Sequence, residues 1–335
     1  MGGLTVAGQR RNFTGLRCAQ SRAGWPARAR SYQPPAGSGD GGLTEPRGDG
    51  YRRAIVLEVS TTRICCQQLA PVIGEPAANR ALSVAAIEQA AAGGADVVVL
   101  PELVSSGYMF ASPAEAAALA IDADDPLLAE WEALAVRHHL VLAAGFCERG
   151  EDGRIYNSAV LCDPGAGRTV YRKLHLWDRE KLVFTPGVDP PPLLDTAIGR
   201  VSVVVCYDLE FPELTRAVAL GGAQLLLVPT NWPLMERPRG ERPGEATIAQ
   251  ATARINRMAI ACADRAGLER GQAWTAGTTI VDADGWVVAE SREPGPVFAD
   301  VDLARGLDKS HTALADAFAD RRPELYGAVT RGHRA

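Results

Sequence analysis

Three side chains in this sequence have the types and settings needed for nucleophilic acyl chemistry. Cys206 closes the apolar, β-branched run Val201-Ser202-Val203-Val204-Val205 and precedes Tyr207-Asp208-Leu209-Glu210-Phe211-Pro212-Glu213, which reads as the opening of a helix. A strand that feeds a helix through a sharp turn lifts one side chain clear of the sheet and aims unpaired backbone N–H groups beside it. A thiol there is expected to have a lowered pKa and an oxyanion site next to it. The same position also suits a buried cysteine that acts only as a small hydrophobe. Glu102 ends a second apolar strand, Val97-Val98-Val99-Leu100-Pro101, where the proline stops the ladder. A carboxylate at such an end serves as a general base if its surroundings raise its pKa, and is otherwise a solvated or capping acid. Lys173 lies in Tyr171-Arg172-Lys173-Leu174-His175-Leu176-Trp177. Only Lys173, Lys181 and Lys309 among 35 basic residues are lysines. The chain therefore uses arginine for generic cations, and a lysine here points to a compact ammonium facing a developing oxyanion.

The elements that must position these residues alternate between strands and helices. Strands are expected over 63–69, 95–100, 140–146, 155–162, 169–174, 200–206, 224–229, 277–282 and 287–290, and helices over 76–92, 112–119, 127–138, 212–220 and 245–260. Residues 155–174 read as a hairpin around Asp163-Pro164-Gly165-Ala166-Gly167, and 200–229 as a βαβ unit. Hairpins mixed with βαβ units imply an α/β fold whose sheets are not purely parallel.

Glu, Lys and Cys, in that order and each at a strand end, resemble the nitrilase, or carbon–nitrogen hydrolase, superfamily. The resemblance rests on Leu100-Pro101-Glu102, Tyr171-Arg172-Lys173-Leu174-His175-Leu176 and Cys206-Tyr207-Asp208-Leu209-Glu210-Phe211-Pro212-Glu213. Tyr156-Asn157-Ser158-Ala159, Thr185-Pro186-Gly187, Gly277-Thr278-Thr279-Ile280-Val281 and Arg321-Arg322-Pro323-Glu324-Leu325-Tyr326 support it. It implies a four-layer α-β-β-α sandwich with mixed sheets, pairing with a second copy into a homodimer or larger assembly across helices near the nucleophile. It also implies Glu102 as base, Cys206 as nucleophile, and Lys173 with the Tyr207 N–H as oxyanion donors. Glu180 becomes the second glutamate of the site; Glu148, beside Arg149, is the weaker candidate and reads as a surface acid. Tyr207-Asp208 after the cysteine is similar to the amidase-type branches, since nitrilases proper carry Trp-Glu there. Branches acting on dicarboxylic monoamides carry arginine where this chain has Glu210. An acid there repels a substrate carboxylate and favours neutral or amino-bearing amides, unless Glu210 is taken up by an arginine. Asn231 and Trp232 open a loop after a strand end and are expected at the pocket lip, with Trp232 either walling the acyl side or packed in the core. N-carbamoyl amines and nitriles are alternative substrates on the same scaffold, and a catalytically idle binding protein is the alternative of another class.

Composition bounds the rest. A net charge of −5 gives no nucleic-acid footprint, and no apolar run is long enough to cross a bilayer. Seven cysteines, five of them (Cys65, Cys66, Cys162, Cys206, Cys262) in strand-like apolar runs, suggest a reduced, cytoplasmic interior rather than a disulfide framework. The chain has no Cys-x-x-Cys for redox chemistry, and no cofactor or metal site is expected from its Cys and His spacings. Residues 1–58 are expected to be a disordered extension or to lie upstream of a true start near Val59, leaving 59–335 as the carbon–nitrogen hydrolase domain.

Overall fold

The computed structural model describes residues 61–331. The extension expected over 1–58 lies outside them. The chain runs β1 (Thr62–Gln68), α1 (Pro76–Ala92), β2 (Val97–Val99), α2 (Pro113–Leu119), α3 (Pro126–His138), β3 (Val141–Arg149), β4 (Ile155–Asp163) and β5 (Gly167–Arg172). It continues through β6 (Leu193–Thr196), β7 (Gly199–Val203), α4 (Pro212–Leu220), β8 (Leu225–Pro229), α5 (Gly244–Asn256) and β9 (Ala259–Ala263). The short hairpin β10 (Leu268–Glu269) and β11 (Gln272–Ala273) precedes β12 (Thr279–Val281), β13 (Val287–Glu290) and β14 (Gly295–Val301); β15 (Ser310–Thr312) and β16 (Ala315–Asp316) close the series.

Two six-stranded sheets result, ordered β14-β1-β2-β3-β4-β5 and β13-β12-β9-β8-β7-β6. Both are mixed: β1, β2 and β3 run parallel, as do β7, β8 and β9, while the flanking pairs are antiparallel. The period of two along a strand sorts the first sheet's side chains between two cores. Cys65, Val98, Leu142 and Ala144 pack outward with Ile87 and Ala90 of α1 and Leu128, Trp131 and Leu134 of α3. Ile64, Cys66, Val97, Val99 and Ala143 pack inward with Val201, Val203, Leu225 and Leu227 of the second sheet, and the same core takes in Val218 of α4 and Ala249 and Ala253 of α5. The order of layers is therefore α-β-β-α, as the resemblance implied.

Several elements differ from expectation. The helix expected over 245–260 ends at Asn256, because Arg257 adopts a left-handed conformation (φ 48°) and caps it. The apolar residues that seemed to continue it form β9, a buried strand beside β8. Strands β6 and β14 were not anticipated; β14 pairs along the whole of β1, Thr62 opposite Val301 and Gln68 opposite Gly295. The strand expected to reach Cys206 stops at Val203, and Cys206–Glu210 is a 3₁₀ turn leading to α4.

Candidate active site

Cys206 begins that turn with φ 47°, a left-handed backbone that a residue bearing Cβ adopts at a cost. The turn is anchored through its own buried Asp208. Asp208 Oδ2 accepts from the Val205 N–H (3.1 Å) and the Tyr171 hydroxyl (2.8 Å), and Oδ1 accepts from the His175 N–H (2.9 Å) and lies 2.8 Å from His175 Nδ1. One carboxylate thus bolts the nucleophile turn to the segment on either side of Lys173.

Lys173 leaves the end of β5 and is fully buried. Its Nζ donates to Glu102 Oε1 at 2.7 Å and to Glu180 Oε1 at 2.8 Å. Burial alone would push this ammonium toward its neutral form, but the Glu102 and Glu180 carboxylates outweigh burial and hold its pKa well above the usual lysine value. Glu102, at the end of β2, also accepts from Asn157 Nδ2 (2.7 Å), while its Oε2 has no partner among the described residues. Burial raises the Glu102 pKa to about 7, against the opposing pull of Lys173. Gly145 of β3 passes so close that a Cβ there would sit 2.5 Å from the Glu102 Cα. Glycine at that position is what lets the carboxylate's backbone settle against β3.

The Cys206 thiol does not have the lowered pKa expected from its sequence setting. Burial, then the Glu102 charge, raises it well above the ordinary value, with Lys173 and a hydrogen bond from the Asn231 N–H pulling the other way. Burial and the Glu102 and Glu180 carboxylates set this direction, and the α-helix expected directly after the cysteine starts only at Pro212. A thiol held protonated in this way needs a base to take its proton, and a carboxylate with one uncommitted oxygen is in the same buried cluster.

Glu180 joins the cluster. Besides Lys173, its Oε1 accepts from the Tyr108 hydroxyl (2.6 Å), and its Oε2 accepts from the Trp177 N–H (3.0 Å). Glu148 is not the surface acid expected: it is buried, accepting from Arg172 (2.5 Å to Nη2) and Ser158 (2.5 Å), so its cross-strand partners on β4 and β5 decide its environment rather than its neighbour Arg149. Tyr207 is half-buried with its ring edge-on to Trp177 and Phe211. Glu210, exposed at the end of the turn, forms no ion pair among the described residues; partial desolvation and then the nearby Glu245 carboxylate raise its pKa. Asn231 is buried and its Nδ2 donates to the Glu102 backbone carbonyl (2.8 Å). Of the two readings for Trp232 the structure shows the second: it packs in the central core against Gly277. Its N–H donates to Asp264 Oδ1 (2.9 Å), a buried carboxylate that also accepts from the Thr230, Arg265 and Gly277 groups around it. A cavity of about 110 Å³ is lined by Tyr108, Phe110, Trp177, Glu180, Phe184 and Trp274, among others.

Tyr108, Asn157, Asp208 and Trp274 are the site-forming residues whose parts were not read from the sequence. Asn157 and Asp208 lay inside motifs already noted; Tyr108, in the segment after Glu102, and Trp274, beside the β10–β11 hairpin, lie in irregular segments that gave no local signal.

A carbon-nitrogen hydrolase family model matches residues 63–306. The chain belongs to that family. Among curated relatives of the family, a nitrilase from Pyrococcus abyssi is 32% identical over 267 residues, covering 79% of this chain and 98% of its own. An (R)-stereoselective amidase from a Pseudomonas species is 32% identical over 267 residues, covering 78% and 92%. The solved amidase from Nesterenkonia sp., as a cysteine mutant in complex with butyramide, superimposes with a TM-score of 0.66 at 31% identity, covering 81% of this chain and 98% of that one. Another structure of that amidase shows acrylamide added to its active-site cysteine. These matches take in the stretch that carries Glu102, Lys173, Glu180 and Cys206.

Proposed function

We propose that this protein hydrolyses the carboxamide group of a small molecule to a carboxylic acid and ammonia through a thioester on Cys206. The observation that carries the reading is the buried contact of Lys173 with both Glu102 and Glu180 (2.7 and 2.8 Å), with the Cys206 thiol close enough to feel all three charges. In the first half-reaction Glu102 takes the thiol proton as sulfur attacks the carbonyl carbon. The Lys173 ammonium and the Tyr207 N–H face the oxygen that gains charge, each such donor contributing roughly 3 kcal/mol in the transition state. Glu102 then passes its proton to the nitrogen, the C–N bond breaks and ammonia leaves. In the second half, Glu102 takes a proton from water as the water oxygen attacks the thioester carbon, and returns it to sulfur as the acid departs. Glu180 orients Lys173 throughout.

Ammonia release is to be measured on butyramide, an amino-acid amide, an ω-amide of a dicarboxylic acid, an N-carbamoyl amine and a nitrile, with native protein and Cys206→Ala. Release from an amide, lost in Cys206→Ala, is the expected result. Release from the carbamoyl compound or nitrile alone moves the reading to those substrates, and substantial turnover by a clean Cys206→Ala preparation overturns the thioester mechanism. Amide silence with an iodoacetamide-inert Cys206 restores the idle-scaffold alternative. The proposed functional unit is a homodimer. It is supported by an apolar groove of about 890 Å³ along α4 and residues 321–330.

A further inference from the structure

Outside the Glu–Lys–Cys cluster the structure contains a second buried ion pair, between Arg265 and Glu269, with side chains 2% and 4% exposed. The pair is bidentate (Nη1 to Oε2 3.0 Å, Nη2 to Oε1 3.2 Å), and Arg265 Nη2 also donates to the Pro71 carbonyl (2.7 Å). Two buried charges are costly to desolvate, so a pair of this kind is weak evidence of stability and raises the question of what else it does. Glu269 Oε2 answers part of it by accepting the backbone N–H groups of Tyr108 (2.9 Å) and Met109 (2.7 Å). The turn it grips passes through Gly107, at φ 82°, where a Cβ would lie 2.5 Å from the Ile73 Cα and 2.7 Å from Glu269 Oε1. The turn therefore fits tightly against the carboxylate. Arg265 in turn lies over the Trp274 ring (4.7 Å), and Trp274 meets Tyr108 edge-to-face at 5.2 Å. The clamp thus fixes both the backbone and the ring of Tyr108.

What Tyr108 does with that fixed position is specific. Its hydroxyl donates to Glu180 Oε1, the same oxygen that holds the Lys173 ammonium. Burial and the surrounding negative charge keep the phenol protonated, so it serves as a donor. We propose that Glu269, backed by Arg265, is a positioning residue for hydrolysis, holding Tyr108 so that its hydroxyl fixes Glu180 and thereby the Lys173 ammonium at the oxyanion position. The proposal rests on the amide-hydrolase reading above and adds to it two residues remote from the reacting atoms.

The test is steady-state kinetics on the best amide of the panel. Tyr108→Phe keeps the ring and its contact with Trp274 but removes the donor. It is expected to lower kcat roughly 10- to 100-fold, the scale of a small misplacement of a catalytic group, with KM little changed. Glu269→Gln is expected to lower kcat comparably alone and to add almost nothing in the Tyr108→Phe background, because both act on one chain of contacts. If Glu269→Gln does not fold, the double replacement Arg265→Met with Glu269→Met stands in, since replacing both members of a buried pair by apolar residues is often neutral for stability. Near-native melting with a kcat reduced as in Tyr108→Phe supports the positioning role. Native kcat in Tyr108→Phe or in the double replacement overturns it, as does full multiplication of the losses. A native protein that hydrolyses no amide sinks the hydrolase reading and this role together; an active native protein with an unaffected Tyr108→Phe sinks the positioning role alone.

Discussion

Glu102 combines full burial, contact with a cation and one oxygen without a partner among the described residues, and these set the pH behaviour expected of the site. Its pKa is raised to about 7 by burial. A general base works ionised, so kcat/KM should rise with pH below about 7 and level off above it. Lys173 keeps its proton well above the ordinary lysine range, so no loss on the alkaline side is expected up to about pH 9. The limb belongs to the coupled Glu102–Lys173–Cys206 set and not to one residue alone. A pH–rate profile that is flat from pH 5 to 9 would contradict Glu102 as the base. Replacing Glu102 by Gln should lower kcat by roughly 100- to 10,000-fold, the usual worth of a positioned acid–base group. At this scale the sequence was informative about residue type, since each of the three reactive groups sits at the end of an expected strand. It misjudged the thiol's pKa because burial and the Glu102 and Glu180 charges that raise it come from the tertiary fold and not from the flanking residues.

Strand ends, more than helix ends, place the reactive groups: Glu102 follows β2, Lys173 follows β5, and Cys206 follows β7 after two residues. The fit between these ends depends on how closely neighbouring strands approach. At Gly145 the added Cβ of alanine would lie 2.5 Å from both the Glu102 Cα and the Leu103 N. Backbone atoms cannot swing away as a flexible side-chain tip can. Gly145→Ala should therefore cost about 1–3 kcal/mol of stability through overpacking, and its kcat should fall further than melting alone explains, because the displaced backbone carries Glu102. Denaturant titration and kinetics on the same preparation check this; native kcat would show that β3 yields instead. The elements themselves were legible wherever a local pattern existed, as in α1, α4 and β13, whose bounds the expectations matched. They were illegible where a local signal was missing or pointed the wrong way. Arg257 ends α5 in a left-handed conformation usually left to glycine, so the apolar run of β9 read as more helix. β14 opens with Gly295-Pro296 and finds its partner β1 more than 220 residues earlier, a pairing that no window of sequence contains.

For the molecule as a whole, the feature that asks for a partner is the groove behind the nucleophile turn. It is lined by α4 residues including Arg216 and Leu220, by Ile255 of α5, and by Leu325 and Val329 near the C-terminus. Leu220, Ile255, Leu325 and Val329 are 42–66% exposed, and contiguous apolar exposure of this kind marks an association surface. The same lining includes an acid, Glu213, and a basic residue, Arg216, whose Nη2 donates to the Ile255 carbonyl (2.9 Å). A surface carrying both signs and an apolar centre can pair with its own copy about a two-fold axis, each copy's acid meeting the other's base. The expected outcome is a light-scattering mass of twice the chain, with Leu220→Asp and Leu325→Asp together giving single chains. A native mass of one chain, or a double variant that stays paired, would reject the dimer. Because α4 begins two residues after the Cys206–Glu210 turn, a partner pressed against α4 also supports that turn from behind. The separated variant should accordingly lose kcat on the best amide along with its mass, and should regain neither on dilution into fresh buffer. Full turnover by single chains would show that the strained turn is held by Asp208 and the core of one copy alone.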